Sequence, residues 1–348
     1  MTSVRLVLIV LAFALMVALF VWRGPNWNLV ADAFRFVAWK WVVAAIALNL
    51  LSVIARAAAW ERVIEQAMPS PQPRFRSVFS AFGVGLFANA VLPGRIGELA
   101  RVAVLSRRQA NRSDAWATLV GTVFAHRVFD VFPTLLLIGY VLATAKIPHW
   151  ALTSLTIALV VGFALFAFAL ASARRRHRSV LEEAGRARRL VTMARFGLGV
   201  MRAPVPALAA GLLQCAGWAC QLLAVWAAMR AFGIHEPLPA AAVVLLLMNV
   251  AMLFPLWPGN VGLVQAAVAL PLVSYGVAYP KGFAFGIGLQ AIEMSVGVGI
   301  GLLFLAREGL SFAMLKRMPG AEQAEVGEHT GDAEPVQEPA RAGARLSG

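Results

Sequence analysis

The chain has 348 residues, 60% hydrophobic and only 14% charged, with a formal charge of +14 and a mean hydropathy of +0.75. Soluble domains carry about 25% charged residues, so a soluble globular protein is excluded and the class is a polytopic membrane protein. The basic excess does not point to nucleic acid: Lys and Arg fall mostly in short gaps between apolar runs, not in one patch interleaved with aromatics, which fits positive-inside sorting.

Taken in order, residues 4–22 form an apolar run of spanning length, longer than the core of a signal peptide and without a small-residue cleavage site before Arg23, Gly24 and Pro25. The run reads as a retained first span. Residues 36–54 give a second, with Lys40 and Arg56 near its ends, where long side chains reach the headgroups. Four arginines and a turn containing Pro69, Pro71 and Pro73 follow within 56–76, which places that end in the cytoplasm. Residues 77–92 then enter the membrane, but a helix of that length covers about 24 Å against a hydrocarbon core of about 30 Å.

That helix must stop at Pro93 and Gly94, because proline lacks the N–H a helix needs and glycine adopts dihedrals other residues avoid. A helix end inside a bilayer leaves N–H and C=O groups unpaired and is tolerated only where protein or a water-lined cavity shields them. Residues 96–105 are shorter still and lead to Arg107, Arg108 and Arg112, so the economical path is a re-entrant hairpin back to the cytoplasm. Ser113 and Asp114 offer an N-cap for a helix through His126, Arg127 and Asp130 to about Thr144, and residues 150–171 return across the membrane.

Residues 174–202 hold nine arginines against Glu182 and Glu183, with apolar residues between them. This stretch reads equally as a basic helix on the anionic inner leaflet or as a solvated loop, and it is where a protein partner would dock. A crossing at 205–232 leads to a short outer connection. Residues 239–257 then enter from the outer side, break at Pro258 and Gly259, and return as 261–275, leaving 283–306 as the last span. Beyond Pro319 the chain is rich in Glu, Ala and Gly with almost no large apolar residues, the composition of a disordered tail.

The break occurs twice. At an offset of 165 residues, Pro93, Gly94, Gly97 and Leu105 fall on Pro258, Gly259, Gly262 and Leu270. Matching breaks in two halves point to discontinuous helices around a transport site. With the amino terminus inside, the inner segments carry 20 basic residues and the outer connections six, which fixes orientation with both termini in the cytoplasm. The two hairpins then enter from opposite faces. The expected fold is all-α, with about six full transmembrane helices plus two re-entrant helical hairpins in an inverted repeat. Residues 1–310 form the membrane domain and 311–348 the cytoplasmic tail.

Three carboxylates fall at membrane depth: Glu98, Asp130 and Glu293. Each charge at the bilayer centre costs about 2.5–3.5 kcal/mol, so each needs a partner or a wet cavity. Arg127 and Asp130 are three apart on one helix face, as are Glu98 and Arg101, and both pairs suit ion pairing. Glu293 has no neighbouring arginine and lies at the 165-residue offset from Val128, close to Asp130 in the other repeat. It must borrow a partner or hold a proton, because burial disfavours a bare carboxylate.

Arg95 stands just past the first break, where the next helix presents free N–H groups and the positive end of its dipole, an arrangement suited to phosphate. The second copy has Asn260 there, so one hairpin tip is cationic and the other neutral. The candidate substrate-binding set is Arg95, Glu98, Arg101, Asn260 and Gln265, with Arg127, Asp130 and Glu293 as an intramembrane charge network and Pro93, Gly94, Gly97, Pro258, Gly259 and Gly262 as the helix breaks. There is no HExxH, P-loop, nucleophile elbow or Cys/His metal spacing, so no catalytic residue, metal or cofactor is expected. His126 reads as a packed helix residue, and Cys215 and Cys220, five apart on different faces, as free thiols.

The run Leu92-Pro93-Gly94-Arg95-x-Gly97-Glu98-x-x-Arg101 resembles the first signature of the flippase-like membrane proteins related to the transmembrane region of lysylphosphatidylglycerol synthase. Pro255-x-x-Pro258-Gly259-x-x-Gly262 resembles the second, and Arg127-x-x-Asp130 is similar to an intervening third. The resemblance covers most of residues 1–310 and implies a protein that moves a lipid headgroup between leaflets. Family synthases carry a soluble aminoacyl-transfer domain after the membrane region; a short acidic tail follows here, so synthase activity is not carried over. The family pattern usually has Gly at Asn260 and Glu at Gln265 and His126. Two carboxylates suited to a cationic headgroup are thus missing, and anionic or glycosylated lipids are the expected partners. The expected function is a lipid flippase of the cytoplasmic membrane, not an enzyme. The rival is a non-transporting subunit that scaffolds a lipid-modifying or cell-envelope enzyme; an intramembrane transferase is weaker.

Overall fold

The computed structural model describes residues 26–68, 72–91, 97–108, 112–146, 203–252 and 260–307, with 153, 156 and 160 as isolated positions. The expected span at 4–22, that at 150–171 apart from those isolated positions, the break residues Pro93, Gly94, Pro258 and Gly259, Arg95, the 174–202 connection and the tail lie outside the described residues. Among the described residues all regular structure is helical and no strand occurs.

A helix absent from the sequence reading comes first. In α1, Trp27–Arg35, the Asn26 side chain accepts from Asn28 N at 3.1 Å and caps the start. Trp27, Val30 and Phe34 recur at helical spacing: Trp27 meets Phe283 edge-on, Val30 is buried, and Phe34 meets Phe232 edge-on. Asp32 and Arg35 pair at 3.2 Å on the exposed side.

Helix α2, Trp39–Ala67, has 29 residues and reaches well past the expected end at 54, so Arg56 and Arg62 lie within it. Its length is about 44 Å, enough to cross the core and protrude. It packs antiparallel to a helix of similar length, α6 (Pro204–Ala231), after α3, Phe75–Val91, α4, Gly97–Ser106, and α5, Arg112–Thr144. Ala38 N donates to Ala231 O at 2.9 Å, Trp41 meets Trp226 edge-on, and a Cβ at Gly217 would stand 3.3 Å from the Ser52 carbonyl oxygen. Residues 52 and 217 are themselves 165 apart.

Helices α3 and α4 lie antiparallel in contact. Asn89 Oδ1 accepts from Gly97 N at 2.9 Å, Gly85 faces Arg101, and Ser77 Oγ accepts from Arg108 at 2.6 Å. A Cβ at Gly97 would collide with the Gly85 carbonyl and with Asn89, so backbone fills the interface. The second such pair is α7, Leu238–Ala251, and α8, Leu263–Val273. Between them Asn260 adopts φ +45° and donates to Ala251 O at 3.1 Å, and Gly262 adopts φ +93°, a conformation that favours glycine.

Helix α9, Tyr279–Arg307, closes the described fold. Gly282 and Gly286 let it approach the backbone of α8 at Ala269 and Gln265. The pairing of elements follows one scheme: α4 lies on α5 and α8 on α9, while α3 lies on α9 and α7 on α5. Among the described residues the two largest buried clusters centre on Met229, Leu245, Phe285 and Leu289, and on Trp60, Ile64, Leu105 and Leu119.

Among the described residues, four helices are long and apolar enough to cross a membrane: α2, residues Thr118–Thr144 of α5, α6 and α9; α3, α7 and α8 are apolar but shorter. The protein is therefore a multi-pass membrane protein. Cys215 and Cys220 are free.

The close α3–α4 approach predicts that Gly97→Val destabilises the protein by about 2 kcal/mol through overpacking. Gly139→Ala, where a Cβ would meet no atom within 4 Å, should be neutral or stabilising by up to about 1 kcal/mol. Thermal unfolding of the detergent-solubilised protein checks the order of the two.

Candidate functional site

Glu98 sits in the first turn of α4, where a carboxylate is favoured by the helix dipole. One turn on, Arg101 reaches it at 2.5 Å, as the spacing predicts. Arg101 is 4% exposed. Its guanidinium rests 4.6 Å from the Trp60 ring centre and 5.4 Å from that of Phe82, a desolvated cation–π contact of about 2 kcal/mol. Trp60 is held in place by its Nε1–H, which donates to Thr122 Oγ1 at 3.1 Å.

On α5, Arg127 bridges two carboxylates. It donates to Glu98 on α4 and, at 3.0 Å, to Asp130 one turn away. Asp130 accepts hydrogen bonds from Arg127, from Trp218 Nε1 of α6 at 2.9 Å and from Gln214 Nε2 of α6, and forms an ion pair with Arg56 of α2 at 3.9 Å. Arg56 in turn lies 5.1 Å from the Trp218 ring centre. The result is a ladder, Arg101–Glu98–Arg127–Asp130–Arg56, which ties α4, α5, α2 and α6 together near the middle of the spans. Asp130 is about 18 Å from one end of Thr118–Thr144 and about 21 Å from the other.

Its charges do not balance: three guanidinium groups meet two carboxylates. Polar capacity is left over as well. Among the described residues, Arg56 Nε, Arg101 Nε, His126 Nδ1, Gln214 Oε1 and Gln221 Oε1 are buried without a hydrogen-bond partner. Buried polar groups in proteins are normally satisfied, so the four of these on Arg56, Arg101, His126 and Gln214, all on or beside the charge ladder, mark a place suited to a polar ligand or water. His126 is buried and packs edge-on to Phe82, as its helix position suggests.

Glu293 stands apart from the ladder, at the midpoint of α9. Its Oε1 accepts from Gln221 Nε2 on α6 at 3.3 Å. In the second hairpin, Gln265 is engaged internally: its Oε1 accepts from Gly262 N and its Nε2 donates to Gln290, both at 2.5 Å. Asn260 likewise holds Ala251 O. Of the candidate residues, Glu98, Arg101, Arg127 and Asp130 therefore converge, whereas Asn260, Gln265 and Glu293 sit elsewhere in the bundle.

Sequence reasoning missed Arg56, Gln214 and Trp218. Reading the span as ending at 54 puts Arg56 at a helix end. Its signal lies in the 165-residue offset, at which Arg56 and Gln221 are both polar and each the eighteenth residue of its helix.

The profile of the Lysylphosphatidylglycerol synthase TM region family matches residues 6–301. The chain belongs to that family, and is a membrane protein related to lipid modification or transport. Comparisons with curated proteins and with solved structures gave no match.

Removing one partner of a buried pair leaves an uncompensated charge. Asp130→Asn, which strips Arg56 of its carboxylate, should cost about 3 kcal/mol. Arg127→Gln leaves Glu98 with Arg101 and Asp130 with Arg56 and removes the guanidinium in excess, so it should cost less than Asp130→Asn. Unfolding of both variants in the same detergent measures the difference.

Proposed function

We propose that the protein is a lipid translocase that moves an anionic or glycosylated lipid headgroup between the leaflets of the cytoplasmic membrane. The observation that carries this reading is the ladder from Arg101 to Arg56, with one guanidinium in excess and unfilled hydrogen-bonding capacity around it, deep within helices of spanning length. Intramembrane charges cost free energy and mark substrate pathways. A phosphate would take the unmatched positive charge. Arg95, beside the positive end of α4, would meet it first from the cytoplasmic side.

The architecture that suits this task has six spans, the four described and those at 4–22 and 150–171, with α3–α4 and α7–α8 as re-entrant hairpins. The exchanged packing, α3 on α9 and α7 on α5, supports an inverted repeat, because a twofold relation turns each of those contacts into the other. So does the meeting of residues 52 and 217 between α2 and α6. Both termini lie in the cytoplasm on this reading, and the 174–202 connection is available to a protein partner. Translocation needs no bond to be made or broken, and the protein acts without catalytic chemistry of its own.

Reconstituted liposomes carrying a fluorescent anionic phospholipid provide the test. The native protein should scramble the lipid, and Arg95→Gln should lower the rate to that of protein-free vesicles while membrane insertion is retained. Native protein that leaves the lipid in place supports the scaffold reading instead, and an unchanged rate in Arg95→Gln removes that residue from the pathway.

A further inference from the structure

The two halves handle their central carboxylates differently. At equivalent places 165 apart, α2 presents Arg56 to Asp130 and α6 presents Gln221 to Glu293. Each residue is the eighteenth of its helix. Asp130 is surrounded by two guanidinium groups, an indole N–H and an amide, whereas Glu293 has a single amide and is in no ion pair among the described residues. Glu293 is about 21 Å from either end of α9, where an unpaired carboxylate is most costly.

The partner amide is itself incomplete. Gln221 Nε2 donates to Glu293 Oε1, but Gln221 Oε1 is buried with no donor. A proton on the other oxygen of Glu293 supplies that donor. Acid and amide then exchange two hydrogen bonds in a closed ring, O–H to Oε1 and N–H to Oε1, and no charge is left in the apolar interior.

The surrounding elements offer one way to hold the charged form. Of the helices packed on α9, α2 supplies Arg56. At this level α6 supplies only Gln221. Helix α8 contributes Gln265, bound to Gln290, and α3 no titratable group among its residues at this depth, while Asp32 and Arg35 of α1 pair with each other on the exposed side. Arg56 is loosely held: its 3.9 Å approach to Asp130 is the longest of that carboxylate's contacts, and its Nε has no partner.

We propose that Glu293 is a proton-carrying site that couples lipid movement to the transmembrane proton gradient, with Arg56 passing between Asp130 and Glu293 as the proton leaves and returns. This rests on the translocase reading above. When the Glu293 O–H bond breaks, the proton goes to water on the open side. The carboxylate loses its hydrogen bond to Gln221 Oε1 and draws Arg56 from Asp130, and reprotonation from the other side sends Arg56 back.

Two measurements on the full chain in liposomes test this. Infrared difference spectra at neutral pH should show the carbonyl band of a protonated carboxylic acid that is lost in Glu293→Gln and kept in Glu98→Gln. Translocation of the fluorescent anionic phospholipid should change several-fold when a pH gradient is imposed, and in Glu293→Gln the ratio of rates with and without the gradient should fall to one. Absence of the band, or a Glu293→Gln variant that still answers the gradient, overturns the proposal. Lipid movement by the native protein that is indifferent to the gradient overturns the coupling and leaves the translocase reading intact, whereas no lipid movement at any gradient overturns both.

Discussion

A carboxylate in the middle of a bilayer has to be surrounded by donors, and Asp130 is the place where this requirement organises the bundle. Its donors come from α2, α5 and α6, so the three helices can meet in only one rotational setting if Asp130 is to be satisfied. Dispersion and small residues bring the helices together, since lipid offers apolar side chains as much as a neighbouring helix does. The polar contacts then choose the register. Arg127 extends that choice to α4 through Glu98, and Arg101 anchors the far end on the Trp60 indole.

Glycine does the complementary work at the hairpins. Gly85 and Gly97 let α3 and α4 touch along their backbones, and Gly282 and Gly286 do the same for α8 and α9. Each short helix packs along a longer neighbour, α3 and α8 on α9 and α4 and α7 on α5. The first helix pair carries Glu98 and Arg101 into the ladder, while in the second Gln265 holds Gly262 and Gln290 of α9, and Asn260 holds Ala251. The two pairs differ in charge.

Much of this was legible in the sequence. The three-residue spacings of Glu98 with Arg101 and of Arg127 with Asp130 gave both ion pairs, because such spacing is local to one helix. The described helices that run to Val91 and from Gly97 flank the expected break at Pro93 and Gly94, which itself lies outside the described residues. What the sequence hid was tertiary. Nothing local joins Arg127 to Glu98, or Trp218 and Gln214 to Asp130, across 29, 88 and 84 residues. Helix α1 was missed because its nine residues are too few to stand out beside spans three times as long, although Asn26 and the spacing of Trp27, Val30 and Phe34 carried the signal.

The meeting of Ser52 and Gly217 ties size to charge. A Cβ at Gly217 would come within 2.8 Å of Arg56 Cγ, so the guanidinium stem lies over the one residue that has no side chain. The shorter amide, Gln221, belongs to the helix that faces the larger Ser52. Volume at the helix crossing and charge one turn away are thus linked: a side chain at 217 and the long stem of Arg56 would compete for the same space, so the guanidinium can be kept only while position 217 stays bare.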